Sequence, residues 1–70
     1  MYELSRYVSY LEKNSVYSVY CNFNLYFFKG ITYTWFKRII NNEDIQNIDK
    51  EFIDFLLKKE IIVKVGEEYV

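Results

Sequence analysis

The chain has 70 residues, nine basic and ten acidic side chains and a formal net charge of −1, so it holds no field of one sign that would draw phosphate backbones from a distance. It has no histidine and one cysteine, Cys21, which removes the commonest general base and metal ligand, any internal disulfide and any Cys–His pair. No stretch reaches the roughly 18 apolar residues of a membrane span and the N-terminus has no basic start followed by an apolar run, so a single cytoplasmic domain over residues 1–70 is the expectation.

A domain of this size buries only about 60% of the surface its unfolded chain exposes. Eight Tyr, six Phe and one Trp supply large apolar areas from few positions, but they cannot all be interior. Several tyrosines are therefore expected on a contact surface, where an apolar ring with a polar tip is favoured.

Ser5 to Leu11 is rich in β-branched and aromatic residues, Glu12-Lys13-Asn14 interrupts it, and Ser15 to Tyr20 resumes it, which predicts a hairpin. From Tyr17 onward apolar side chains recur at every second residue through Val19, Cys21, Phe23, Leu25 and Phe27, the period of a strand half-buried against a core. That run exceeds the usual strand of about five to six residues, and Asn22 and Asn24 are turn formers, so it divides and a third strand spans Phe23 to Lys29 before Gly30. The product is an antiparallel meander with Asn24 to Phe28 at its edge.

Downstream the period changes. Trp35, Phe36, Ile39 and Ile40 define one face of a first helix, capped by Thr32 or Thr34 and ending at Asn41 and Asn42. Asn42 is suited to cap a short second helix through Glu43, Asp44, Ile45 and Ile48. Asp49 caps a third, Lys50 to Lys59, whose stripe is Phe52, Ile53, Leu56 and Leu57 with Phe55 on its flank. Ile61 to Val65 is β-branched, Gly66-Glu67-Glu68 is a turn and Tyr69-Val70 begins a return strand, a small wing. The expected fold class is α+β: a winged helix-turn-helix with an N-terminal three-stranded antiparallel sheet, three helices and a C-terminal wing.

The edge strand LYFFKG at 25–30, the helix TYTWFKRI at 32–39 and FIDFLLKKEII at 52–62 give the chain its likeness to a known family. It resembles the PqqD-like recognition elements, which bind the leader peptides of ribosomally made, post-translationally modified peptides. It departs from them in having Glu60 where the family usually has a glycine after the last helix. The resemblance implies a non-catalytic protein that takes a precursor leader by strand addition and delivers it to a separate processing enzyme, a leader peptidase or a modifying enzyme. The shortness of the chain favours a lasso-peptide pathway. It further implies peptide-binding residues at Asn24, Leu25, Tyr26, Phe27 and Phe28 on the strand and at Phe52, Phe55, Leu56 and Lys59 on the facing helix.

Catalytic chemistry is poorly provided for. Cys21 has no histidine partner and no CxxC spacing, and the adjacent pairs Glu43-Asp44 and Glu67-Glu68 do not converge as paired carboxylates should. Two glycines are too few for a phosphate-cradling loop. No enzyme, metal or cofactor is expected. The alternative is a small winged-helix DNA-binding protein, against which stands Asp54, placed on the third helix where it would repel phosphate.

Overall fold

The computed structural model describes residues 2–66. Its elements are β1 (Tyr2–Leu4), β2 (Ser9–Lys13), β3 (Val16–Cys21), β4 (Asn24–Lys29), α1 (Ile31–Ile40), α2 (Lys50–Lys58) and β5 (Ile62–Lys64). Strands β2, β3 and β4 form an antiparallel sheet in that order, and β1 pairs with β5 in a second, two-stranded sheet. Among the described residues two helices come after the larger sheet rather than three, and five strands form two sheets, so the winged helix-turn-helix expectation is overturned.

The meander is built on two very short loops. Asn14 and Ser15 have φ of 53° and 60°, and Asn22 and Phe23 have φ of 53° and 66°. Positive φ at both central residues is the property of the type I′ turn, whose twist matches that of the strands it joins. Lys13 therefore pairs with Val16, and Cys21 with Asn24. The first hairpin is shifted from its expected place: Ser5 to Val8 forms a turn, closed by a Val8 N–H bond to the Ser5 carbonyl at 3.3 Å, and Glu12 and Lys13 belong to the strand. Phe23 belongs to the second loop and not to β4.

Helix α1 starts after Gly30, whose φ of 64° turns the chain out of β4, and it has no side-chain cap. Thr32 and Thr34 lie inside the helix instead, and the Thr32 hydroxyl donates to the Lys29 carbonyl at 2.8 Å. At the other end Asn42 sits at φ 58°, its N–H bonded to the Ile39 carbonyl and that of Glu43 to the Arg38 carbonyl, at 3.1 and 2.8 Å. This crossed pair is the Schellman arrangement, in which asparagine tolerates the left-handed position. Asn42 thus ends the first helix rather than starting a second. Residues 43–49 form a connector in which Asp44 Oδ1 accepts the Gln46 N–H at 3.0 Å and the Arg38 guanidinium donates to the Asp44 carbonyl.

Asp49 caps α2 as expected, its Oδ1 accepting the Glu51 N–H at 2.9 Å. The helix closes with a second Schellman arrangement: Glu60 N–H bonds to the Leu57 carbonyl at 3.0 Å and Ile61 N–H to the Leu56 carbonyl at 2.9 Å. The left-handed position, at φ 63°, is held by Glu60 where glycine would be unstrained. Beyond it, after Ile61, comes β5. It pairs with β1 in the register Tyr2–Lys64 to Leu4–Ile62, so the segment expected to make a wing is joined to the N-terminus. The expected return strand at Tyr69-Val70 lies outside the described residues.

One face of the larger sheet carries the core. Tyr17, Val19, Cys21 and Phe28 meet Phe36 and Ile39 of α1 and Phe52, Ile53 and Leu56 of α2, and Ile48, Ile61 and Ile62 seal the end. Phe36 is the hub of the rings, with centroids of Tyr17 and Phe28 at 5.0 and 5.1 Å. Such aromatic pairs add to the stabilisation from area burial alone.

Candidate functional site

The expected binding strand is an edge. Among the described residues β4 has β3 as its only strand neighbour. A two-residue loop closes on a hydrogen-bonded pair, and antiparallel pairs then alternate between bonded and non-bonded. Counting from Cys21–Asn24, the residues Asn24, Tyr26 and Phe28 turn their backbone groups to β3, whereas Leu25, Phe27 and Lys29 turn theirs outward. The open donors and acceptors of the edge are thus those of Leu25 and Phe27.

The side chains alternate as well. Tyr26 and Phe28 lie on the helix-facing side, paired with Val19 and Tyr17, while Leu25 and Phe27 lie on the other side, 55% and 61% exposed. Tyr26 is half-buried, and its ring meets Phe55 edge-on with centroids 5.6 Å apart. Phe55 reaches on to Phe28 at 6.5 Å. Tyr26 and Phe55 therefore form a half-buried aromatic wall where the edge strand meets the flank of α2.

The other expected residues fall into two groups. Phe28, Phe52 and Leu56 are buried in the core, Leu56 with no exposed surface, and they support the wall from behind. Asn24 and Lys59 are exposed. The Asn24 amide donates to the Asn22 carbonyl at 3.2 Å and stiffens the loop, and Lys59 is the C-cap of α2. On the helix the period separates these roles, with Phe52 and Leu56 in the buried stripe and Phe55 on its flank, whereas on the strand period alone does not say which alternate set faces the core.

Phe23, absent from the expected set, is 93% exposed at the tip of the β3–β4 loop. The loop is tied to the end of α2 by a bond of 3.1 Å from the Asn22 amide to Glu60 Oε1, which joins two left-handed positions. The signal for Phe23 in the sequence is its place after Asn22, where a type I′ turn favours glycine.

Cys21 is buried, with its sulfur 3.6 Å from the Glu60 carbonyl, and burial, together with the nearby Glu60 charge, raises its pKa. A thiol held in its neutral form is a packing group and not a nucleophile. The described residues contain no cluster of metal-binding side chains and no helix long and apolar enough to cross a membrane. A shallow cavity of about 260 Å³, lined by Tyr2, Ile39, Asn42, Glu43, Asp44 and Ile45, shares no residue with the edge and its wall.

No family model, curated protein or solved structure matches the chain.

Proposed function

We propose that this protein is a non-catalytic, cytoplasmic binding module that takes an extended apolar peptide along the free edge of β4. The observation that carries the reading is the coincidence of an open backbone edge at Leu25 and Phe27 with the half-buried Tyr26–Phe55 wall beside it. In strand addition the backbone bonds supply affinity and an adjacent groove selects alternate side chains. Leaders of ribosomally made precursor peptides belong to this class of extended ligand, and a separate processing enzyme would receive the bound peptide.

Labelled extended peptides with alternating apolar residues, precursor leaders among them, test the reading. Binding should slow hydrogen exchange at the Leu25 and Phe27 amides, leaving those of Tyr26 and Phe28 as protected as before. Phe27→Pro removes an outward donor at an edge position and should abolish binding, whereas Phe27→Ala, which retains the donor, should bind. A bound peptide that protects neither outward amide overturns the proposal.

A further inference from the structure

Among the described residues the three-stranded sheet has helices on one side only. On the opposite face Leu11, Tyr20, Leu25 and Phe27 come together from all three strands, each about half exposed or more. Leu11 lies across from Ser18, which in turn faces Phe27, and the next row places Tyr20 beside Leu25. Contiguous apolar surface of this kind on a small domain marks an interaction site.

Charge and shape narrow the occupant. Strand alternation puts Lys13 and Lys29 on this same face, flanking Val16 at one end, and it places no carboxylate there. A second copy laid face to face with its strands in the same sense would bring the lysines against lysines, whereas the carboxylates of a partner would neutralise them. Strands spaced about 4.8 Å apart make the face about 10 Å wide between β2 and β4, the width of one α-helix. We infer that the outer face of the β2–β3–β4 sheet binds an amphipathic helix of a partner protein, its apolar stripe over Leu11, Tyr20, Leu25 and Phe27 and its carboxylates at Lys13 and Lys29. This face shares Leu25 and Phe27 with the β4 edge but uses their side chains rather than their backbone groups, and Leu11, Lys13 and Tyr20 lie on the other two strands.

The test uses the whole chain and designed helical peptides about 18 residues long, each with one leucine stripe and glutamates at one end, together with matched peptides carrying lysines there. The acidic helices should shift the amide resonances of Leu11, Lys13, Ser18 and Tyr20. Leu11→Thr and Tyr20→Thr, which preserve strand propensity, should each weaken binding about tenfold. Lys13→Glu alone should remove the preference between acidic and basic helices, and Lys13→Glu with Lys29→Glu should reverse it. Equal binding of the two peptide sets, or no shifts at about millimolar peptide, overturns the inference. So does a dimer that Tyr20→Thr dissolves, which would give the face to a second copy. Binding to phosphatidylglycerol vesicles without helix binding would give it to a lipid surface, and likewise overturns it.

Discussion

Phe23 is the residue whose replacement separates backbone strain from side-chain contact most cleanly. Its φ of 66° places a side-chain-bearing residue in the left-handed region, at a cost of about 1–2 kcal/mol relative to the right-handed conformation. Phe23→Gly removes that cost but adds about 0.4–1 kcal/mol of backbone entropy to the unfolded chain. The ring is 93% exposed, so deleting it forfeits little burial. The net expectation is a stabilisation of about 1 kcal/mol, or about 4–8 °C in Tm for a domain of this length. Phe23→Ala deletes the same ring but retains Cβ, and should leave Tm unchanged. Urea and thermal unfolding of the two variants, monitored by far-ultraviolet circular dichroism, make the comparison. A glycine variant no more stable than the alanine variant would show that the loop stores no strain. A fall in stability in both would show that the ring packs on the domain, contrary to its exposure.

Particular contacts set four further outcomes. Asp49→Ala removes the oxygen that accepts the Glu51 N–H and should cost about 1 kcal/mol, measured by urea unfolding. Leu56→Ala truncates a side chain with no exposed surface and should cost about 2–5 kcal/mol, a large part of the roughly 5 kcal/mol typical of a small domain, measured as a lowered midpoint in urea unfolding. Burial raises the pKa values of the Cys21 thiol and the Tyr17 phenol, and the hydrogen bond to Glu12 raises that of Tyr33. Their folded forms favour the bound proton, so this stability is complete below the unfolded values, about 8.5 for Cys and 10 for Tyr, and is lost as pH rises through the higher folded values. Thermal melts should thus be level from about pH 6 to 8 and fall above about pH 9, and Cys21→Ala should remove the first part of the fall. Phe55→Ala should cost about 2 kcal/mol in affinity for any peptide bound at the β4 edge, seen by titration of the labelled peptide, in a protein that remains folded.

The elements set by local chemistry were legible in the chain itself. The helix stripes around Phe36 and Phe52, the Asp49 cap and the break at Asn22 each depend on residues a few positions apart, where spacing and turn preference act directly. Asn42 shows the limit of such reading. Asparagine suits both a helix start and a left-handed helix end, and the backbone beyond Ile40 decides between them through the crossed bonds from Asn42 and Glu43 back to α1. The pairing of β1 with β5 joins residues about sixty positions apart and leaves no local trace.

Period alone also misplaced the alternating run from Tyr17 to Phe27. Read as one stripe it belongs to a single buried face, but the two-residue loop at Asn22-Phe23 changes the parity, so that odd-numbered residues of β3 lie opposite even-numbered residues of β4. Tyr17, Val19 and Cys21 therefore enter the core with Tyr26 and Phe28, while Leu25 and Phe27 of the same run emerge on the far side of the sheet. Sequence determined that these residues alternate, because side chains of an extended chain point to opposite sides in turn. Only the tertiary fold decided which side was in, because that depends on the register of the hairpin and on the face to which the two helices return.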